Sequence, residues 1–560
     1  MIKLWGSKPF VPLILAVIPL FYLINSIVYL SGIQQFYVNH FDPSYCYLMN
    51  GVSLARGVHY IGNIEHPGIP ADAFAAIVIF IKHLFSSTPI LYQDVLLHPE
   101  SYLFTISFVL TALLVFMTFY TAIYVYKHTG SLLQALLFQV SPLFYAETLR
   151  RTLCLSAESV IVIVGIFFMA YLYIHTIWKR EKEPLTLKNI AVIALLSAML
   201  VTTKYYCVPI VVLVFFLLKT RNTIIQYFFM LILFCSLFAC LVYPEIRMML
   251  GTIKSMATHK GFYGQGKAGV VDIPVFLGNL YQMFQGHIVL WIMFTLAVLA
   301  MAVVWITKLR PPNTGSGYLL PVTGSFVCIV LFLGLFAKQY SLVFFDPVSL
   351  IITYVNKYYY FITLFTCFPL FIMIIYKPLS SIIKWEAYLK YKQKIQVVML
   401  SGFIIASGVL TTKATDSKNT QKISVEKTST ILEQFKDTPL IIGTDGRDNA
   451  CPQLALFLGI SYSGNFNIPY YTNFLETIYP ETFTYTTYLD HLEFWGKKTN
   501  LDAVLQKNGK AIVYLPGFNT FTEANILNRI CAGSNELGKE HVKKIYTSNN
   551  GYENIYIISL

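Results

Sequence analysis

The sequence His40-Phe41-Asp42-Pro43-Ser44-Tyr45 lies just beyond the first membrane-length apolar segment, Phe10 to Leu30. Asp42 suits the N-cap of a helix and Pro43 suits its first turn, so this pattern predicts a helix that begins here. The apolar residues that follow recur at helical spacing and predict one face of an amphipathic helix along the bilayer: Tyr45, Leu48, Met49 and Val52. Asp42 is then either a helix cap or a carboxylate that reacts at a membrane face.

Composition places the chain among membrane proteins. Of its residues, 56% are hydrophobic and 12% are charged, whereas about a quarter of an ordinary soluble protein is charged. The net charge is +13, but the cations cluster beside apolar segments, as membrane topology requires. We therefore predict a polytopic α-helical membrane protein that contacts membrane lipids and binds no nucleic acid.

Apolar segments of membrane length recur up to residue 410. Because no small-residue cleavage site follows Phe10 to Leu30, we predict that this segment is a retained signal anchor. With it, the hydropathy pattern predicts about eleven transmembrane helices. The others are Ser101 to Tyr126, Ser131 to Tyr145, Leu155 to Trp178, Asn189 to Thr203, Cys207 to Leu218, Asn222 to Tyr243, Gly286 to Thr307, Gly317 to Phe336, Tyr358 to Tyr376 and Ile395 to Leu410. The fourth and fifth of these are short and predict a tight hairpin.

Lysine and arginine residues predict the orientation. If the segments alternate, one side collects cations and is cytoplasmic by the positive-inside rule: Lys3, Lys8, Lys127, Lys179 to Lys188, Lys219, Arg221, Lys308, Arg310 and Lys377 to Lys394. An odd number of spans then sends the end of the chain to the opposite side, together with Asp42. We therefore predict a transmembrane domain at 1–410 with a first external loop at 31–100, and a soluble extracytoplasmic α/β domain at 411–560.

The predicted extracytoplasmic side collects ionisable residues beside apolar helices, which indicates a site because such groups are costly unless they are paired or face water. The stretch Asn63 to Pro70 contains prolines and a glycine that either hold Glu65 and His66 in place or form a simple turn. The run Ala71 to Phe85 is interrupted by charges and predicts a second surface helix. The loop His259 to Gly269 alternates glycines with cations and aromatic residues, which suits phosphate or sugar contact, or mere flexibility.

The order of these motifs resembles the GT-C membrane glycosyltransferases, which include protein O-mannosyltransferases and aminoarabinose transferases. In that superfamily an acidic residue follows the first span, then come a turn with His or Lys before Pro, and Lys-Tyr in a short hairpin. Here these places are taken by Asp42, Glu65-His66-Pro67-Gly68 and Thr203-Lys204-Tyr205. Asn356-Lys357-Tyr358, followed by Pro369, matches a later motif of the superfamily.

The resemblance implies that a sugar moves from a polyprenyl-phosphate carrier to an acceptor hydroxyl with inversion. A hydroxyl is a poor nucleophile near neutral pH, so a carboxylate must accept its proton, and Asp42 is the predicted general base. The departing phosphate gains negative charge, which cations stabilise. The candidate cations are Lys204, Arg150, Arg151, His259, Lys338 and Lys357, and the candidate sugar or acceptor contacts are Tyr205, Tyr263 and Tyr358.

The resemblance leaves three points open. Many members carry two adjacent acids, but Pro43 follows Asp42, so Glu65 or Glu147 would have to supply the second acid. Some relatives use a divalent metal, for which Glu65, His66 and Glu147 could be ligands, although no compact His/Cys spacing requires a cofactor. The acceptor is a glycan, a lipid or a protein. The sequence lacks the long insertions of eukaryotic members and has a simple C-terminal tail, which favours a bacterial inner membrane. The N-terminus would be cytoplasmic and the C-terminal domain periplasmic.

Two alternative functions are a lipid transporter or flippase, and a structural or assembly protein with a sugar-binding tail, which would not depend on Asp42. The transporter is considered first. Such a protein would also bury charges in a helical bundle. Transporter folds usually contain duplicated halves with matching broken helices, and the sequence shows no such repeat. The sequence therefore favours the transferase.

Residues 411–560 carry most of the polar sequence and predict an α/β domain. Strands are predicted at Leu440 to Thr444, Ala511 to Leu515, Lys544 to Thr547 and Asn554 to Ser559, with helices at Leu501 to Gln506 and Ala524 to Cys531. Asn549-Asn550-Gly551 would join the last two strands as a hairpin. The aromatic stretch Tyr470 to Trp495 is expected mainly in the core, with membrane or sugar contact as alternatives. Cys451 and Cys531 could form a disulfide.

Overall fold

The computed structural model describes residues 10–32, 36–39, 41–64, 68–141, 148, 151–179, 183–260, 264, 266–286, 294–299, 301–302, 319–339, 358–382, 428–444, 451–487, 490–516, 520–534, 541–548 and 553–560. Within these ranges, helices dominate up to residue 382, and a mixed sheet with its own helices follows.

Apolar sequence with few helix breakers produces the long helices, because a helix satisfies its backbone polar groups within one segment. Four are long and apolar enough to cross a membrane by length and composition: Phe10–Ser31, Pro99–Thr129, Ala157–Trp178 and Arg221–Cys240. Shorter apolar helices include Leu187–Thr203, Tyr205–Leu217, Leu319–Leu335 and Ile362–Tyr376. The prediction of several apolar helices is confirmed. The total of about eleven stays a prediction, because 395–410 and most of 286–307 lie outside the described residues.

The helical part contains fifteen named helices within the described ranges. They are α1 (Phe10–Gly32), α2 (Phe36–Asn39), α3 (Phe41–Ala55), α4 (Ile69–His83), α5 (Leu91–Leu97), α6 (Pro99–Thr129), α7 (Leu132–Val140), α8 (Ala157–Leu172), α9 (Leu187–Thr203), α10 (Val208–Leu217), α11 (Arg221–Cys240), α12 (Ile246–Thr258), α13 (Ile273–Gly286), α14 (Leu319–Gln339) and α15 (Tyr358–Ile382). A π-helical turn, Tyr173–Trp178, extends α8, and 3₁₀ turns lie at Tyr205–Cys207 and Tyr243–Glu245.

Contacts divide the chain into two compact units made of interleaved segments. The first unit comprises Met1–Ser26, Ile64–Ala71 and Phe108–Val409. The second comprises Ile27–Asn63, Asp72–Ser107 and Leu410–Leu560. The C-terminal sheet therefore shares a unit with most of the predicted first external loop.

Helix α4 has the burial pattern of a surface helix in contact with lipid. It buries Asp72, Ala75 and Ile79, whereas one apolar stripe is exposed: Ile77, Phe80, Ile81 and Leu84. An exposed apolar stripe at helical spacing is what a helix lying in a membrane interface requires. The helix itself was predicted from Ala71 to Phe85 and is confirmed at Ile69–His83.

The C-terminal part folds as a seven-stranded sheet in the order β4-β3-β2-β1-β5-β7-β6. Strand β1 pairs in parallel with β2 and β5, and the other pairs are antiparallel. The strands are β1 (Leu440–Thr444), β2 (Thr482–Thr486), β3 (His491–Phe494), β4 (Lys497–Thr499), β5 (Lys510–Pro516), β6 (Val542–Thr547) and β7 (Glu553–Ser559), and the helices are α16 (Pro452–Ser461), α17 (Ile468–Ile478), α18 (Leu501–Asn508) and α19 (Thr520–Ala532).

The four predicted strands and two predicted helices of this part are confirmed. The last two strands pair antiparallel as predicted, while the connection at Asn549-Asn550-Gly551 lies outside the described residues. Strands β2 and β3 lie within the aromatic stretch and were not predicted. The preference for core packing in that stretch is confirmed for several members: Tyr471, Phe483, Tyr485 and Trp495 are buried.

Successive residues of the central strands point to opposite faces of the sheet and build two cores. Ile441 belongs to the core that includes Cys531, and Ile442 belongs to the core that includes Cys451. The two cysteines therefore lie on opposite sides of the sheet, and both are free thiols. The suggested disulfide is wrong, because a sheet separates the two sulfur atoms.

Candidate active site

Glu100 organises the part of the chain that contains Asp42. From the first turn of α6, its carboxylate accepts hydrogen bonds from the Tyr45 hydroxyl (2.6 Å) and from the backbone N–H of Tyr37 (3.1 Å). It also accepts a hydrogen bond from the backbone N–H of Phe36. The carboxylate thus ties α2 to the start of α3 and fixes the backbone on both sides of Asp42.

The start of α3 differs by a small amount from the prediction. The helix begins at Phe41, so Asp42 lies within its first turn and is not its cap. Pro43 is tolerated there because the first N–H groups of a helix have no acceptor within the helix. An acidic residue in the first turn also interacts favourably with the helix dipole.

Asp72 is a second buried carboxyl group close to this helix. It is fully buried in α4, beside Asn50 of α3. Burial raises the pKa of Asp72 well above its ordinary value, and the amide of Asn50 offsets only part of the shift. The oxygen of the same amide accepts a hydrogen bond from the backbone N–H of Gly62 (3.2 Å). Asn50 therefore connects α3 to the segment that leads toward Glu65.

The predicted motif Thr203-Lys204-Tyr205 lies at a break between two helices. Helix α9 ends at Thr203, Lys204 is extended, and a 3₁₀ turn leads into α10. The carbonyl oxygen of Thr203 accepts a hydrogen bond from the N–H of Gly68 (3.1 Å), and the Tyr205 hydroxyl donates to the carbonyl oxygen of Ile64 (3.3 Å). These bonds attach Ile64 and Gly68 to the Lys204 turn, whereas residues 65–67 lie outside the described residues.

Lys204 also forms a buried ion pair with Glu158, from Nζ to Oε1. The Tyr206 hydroxyl donates to the same oxygen (3.4 Å), and Nζ lies 5.4 Å from the centroid of the Tyr206 ring. Glu158 lies in the first turn of α8, where Ser156 caps the helix and the dipole favours an anion. Since a lone buried charge is strongly destabilising, the pair explains how both ionised groups are accommodated.

The described residues show only part of the predicted site. Glu65, His66, Glu147, Arg150, Tyr263 and Lys357 lie outside the described residues, and Asp42 and Tyr358 are described by their helices but not by their side chains. Arg151 is partly buried, and its carbonyl oxygen accepts a hydrogen bond from the Ser156 hydroxyl (3.1 Å). The chemical roles assigned to all these residues stay predictions.

The loop that begins at His259 is closed by backbone hydrogen bonds. His259 forms an isolated β-bridge with Ala268, and the Lys260 N–H donates to the carbonyl oxygen of Lys267 (3.0 Å). The ammonium group of Lys260 pairs with Asp272 (3.3 Å). These contacts join the two described ends of the loop, and because residues 261–263 and 265 lie outside the described residues, its predicted phosphate or sugar contact stays a prediction.

Lys338 lies against the end of α12. Its ammonium group donates to the carbonyl oxygens of Met256 and of Ala257 (3.3 Å for the latter). A cation at the C-terminal end of a helix satisfies carbonyl groups that have no partner within the helix. Lys338 thus has a capping role, and its predicted phosphate contact would require it to leave these carbonyl groups.

Among the described residues, no three His, Cys, Asp or Glu side chains are grouped to hold a metal ion. The three predicted ligands, Glu65, His66 and Glu147, are outside those residues. A metal site at these positions therefore stays a prediction.

Comparison with solved structures gives a similarity over nearly the whole chain. The structure of ArnT from Cupriavidus metallidurans bound to undecaprenyl phosphate matches with a TM-score of 0.45 and 10% sequence identity, covering 96% of this chain and 97% of that chain. No protein-family model and no curated protein matches the sequence.

Two acidic residues of this region were missed by the sequence analysis. Glu100 follows Pro99 at the start of an apolar helix, where an acid is ordinarily a favourable end residue. Asp72 was counted only as an interruption of an apolar run. A carboxylate within an otherwise apolar segment was the available signal for Asp72.

Proposed function

We propose that the protein is an integral-membrane inverting glycosyltransferase that moves a sugar from a polyprenyl-phosphate carrier to an acceptor hydroxyl on the extracytoplasmic face. The observation that carries this proposal is the pair of hydrogen bonds that attach Ile64 and Gly68 to the Lys204 turn. Glu65 and His66 lie between these two residues in the chain, so the proposal places an acid and an imidazole near the ammonium group of Lys204, as transfer from a phosphate carrier requires.

The ion pair of Lys204 defines its part in the proposal. Its ammonium group is buried against the Glu158 carboxylate. Oε2 of Glu158 makes no hydrogen bond to another described residue. This oxygen can therefore accept a hydrogen bond from a hydroxyl group of a bound sugar. Glu158 and Lys204 would then contact a ligand that carries both hydroxyl groups and negative charge.

Asp42 supplies the base in this proposal. The acceptor oxygen attacks the anomeric carbon while its proton passes to the Asp42 carboxylate. The bond between the anomeric carbon and the phosphate oxygen breaks, and the polyprenyl phosphate leaves with the bonding electron pair. Lys204 and the other predicted cations would stabilise the phosphate as its charge increases. No step requires a cofactor.

The test uses the purified full-length protein in liposomes that contain polyprenyl-phosphate sugar labelled in the sugar. We expect labelled acceptor and free polyprenyl phosphate to form in equal amounts. Candidate acceptors are a glycan, a lipid and a peptide, each tested separately. Movement of intact labelled donor between leaflets without cleavage would refute the transferase and support the flippase.

A further inference from the structure

Helix α3, which carries Asp42 in its first turn, is held by two helices of the C-terminal domain. These helices are α16 and α17, and they lie in the same compact unit as α3. Their contacts with α3 extend from Tyr45 to Arg56. The contacting residues Tyr45, Ser53 and Arg56 recur at helical spacing along one side of α3 and just beyond its end. The C-terminal domain therefore contacts that helix over most of its length.

The first contact depends on a glycine. A Cβ atom at Gly459 of α16 would lie 3.0 Å from the carbonyl oxygen of Tyr45 and 3.1 Å from its Cβ atom. Such distances are shorter than ordinary contacts between carbon atoms. Gly459 therefore allows the backbone of α16 to approach the first turns of α3, next to the hydrogen bond between Tyr45 and Glu100.

The second contact is a cage of tyrosines around Arg56, at the opposite end of α3. The guanidinium carbon lies 5.0 Å from the ring centroid of Tyr92, 5.2 Å from that of Tyr470 and 5.6 Å from that of Tyr471. The guanidinium group also donates to the side-chain oxygen of Asn467 (3.4 Å). Cations are attracted to the faces of aromatic rings at such distances, so the three rings hold the guanidinium group in place.

Hydrogen bonds between neutral groups also join α3 and the segment after it to the C-terminal domain. The hydroxyl groups of Ser53 and Tyr471 are 3.1 Å apart, and both residues are buried. Asn467 donates to the backbone carbonyl of Tyr60 (3.3 Å), and the Tyr60 ring stacks on Phe466 with centroids 5.1 Å apart. The segment that follows α3 is therefore attached to the same part of the C-terminal domain.

We propose that α16 and α17 set the position of α3, and that Arg56 is a positioning residue for the proposed transfer reaction. The inference rests on the proposed function, because Asp42 is the predicted base. Arg56 lies at the far end of the helix from Asp42 and acts through α3. Loss of the cage would loosen α3 and reduce the fraction of time in which the base is correctly placed, which lowers kcat more than it raises KM.

The test compares wild type, Arg56→Ala and Arg56→Lys, with Arg221→Ala as the control at an exposed arginine. Amide hydrogen exchange follows residues 41–56, with β1 and β5 as internal references. For Arg56→Ala we expect exchange in 41–56 to increase by about tenfold or more while the references are unchanged. Lysine keeps a cation within the cage, so Arg56→Lys should give a smaller increase.

Transfer kinetics provide the second measurement. We expect Arg56→Ala to lower kcat by about ten- to a hundredfold with KM for the donor changed less than about threefold, and Arg56→Lys to recover part of kcat. Unchanged exchange in 41–56, or increased exchange with unchanged kcat, would overturn the positioning role. If wild type transfers no sugar, the proposed function fails, whereas the exchange measurement still shows whether the cage holds α3.

Discussion

The Tyr45 hydroxyl donates a 2.6 Å hydrogen bond to the Glu100 carboxylate, and this bond joins α3 to the start of α6. The same carboxylate holds the backbone of α2 through Phe36 and Tyr37. Asp42 lies between these attachment points in the chain. Its position therefore depends on an acid that is distant in sequence and is assigned no chemical role.

Replacement of Tyr45 tests this attachment. Tyr45→Phe removes one hydrogen bond to a charged group and should reduce stability by about 1.5–3 kcal/mol. We expect a lower melting temperature in detergent and a reduced transfer rate. The exposed Tyr376→Phe serves as the control. A Tyr45→Phe protein with wild-type stability and rate would contradict the role assigned to Glu100.

The ion pair between Glu158 and Lys204 can be tested with a double-mutant cycle. Glu158→Gln and Lys204→Met each leave a buried charge without its partner and should each cost about 3–5 kcal/mol. The double variant removes both charges, so it should recover much of the lost stability. Thermal unfolding in detergent measures this recovery.

The same double variant separates a structural role of Lys204 from a role in binding the donor. If Lys204 contacts the phosphate, the double variant is folded but transfers little sugar. Recovery of both stability and transfer would mean that the pair is only structural. The surface pair of the exposed Lys507 and the half-buried Glu481 offers a control, for which the corresponding changes should have little effect on stability.

Asp72 predicts a pH dependence of stability. Burial raises the pKa of its carboxyl group in the folded state. The contribution of Asp72 to the free energy of unfolding is therefore fully present below the unfolded pKa of about 4 and is lost as the pH rises through the folded pKa. Asp72→Asn removes this loss, and its stability relative to wild type should therefore increase as the pH rises. Melting temperatures measured between about pH 4 and pH 8 test this, with the exposed Asp437→Asn as the control. A difference independent of pH would refute it.

The cysteines provide a test of the sheet. All nine are free thiols in the structure, and Cys451 and Cys531 belong to cores on opposite faces. Alkylation in denaturant without a reducing agent should therefore modify both of them. Mass spectrometry of the corresponding peptides measures this. A disulfide-linked pair of peptides would contradict the position of the two cysteines on opposite faces of the sheet.

Local periodicity accounts for what could be predicted from the sequence. Long apolar runs identify helices such as α9 and α10, and short continuous apolar runs identify the buried strands β1 and β5. Strand β2 could not be predicted in this way, because Thr482–Thr486 becomes a strand by pairing with β1, which lies about forty residues earlier. Its aromatic and threonine residues fit many environments.

Site residues could be predicted from the sequence where a charged residue interrupts or adjoins an apolar segment. Lys204 is a charge between apolar helices, and its neighbours Thr203 and Tyr205 form hydrogen bonds with Gly68 and Ile64. The roles of Glu100 and Arg56 depend on partners that are distant in sequence: Phe36 is 64 residues from Glu100, and Asn467 is 411 residues from Arg56. No single-sequence pattern contains such pairings.

The most direct test of the account is transfer of labelled sugar by wild type and by Asp42→Asn, with Asp437→Asn as the control. Asparagine preserves the shape of the side chain but cannot accept the proton of the acceptor hydroxyl. The account predicts a loss of about a hundredfold or more in the transfer rate with unchanged thermal stability. A transfer rate for Asp42→Asn within about threefold of wild type would contradict the assignment of Asp42 as the general base.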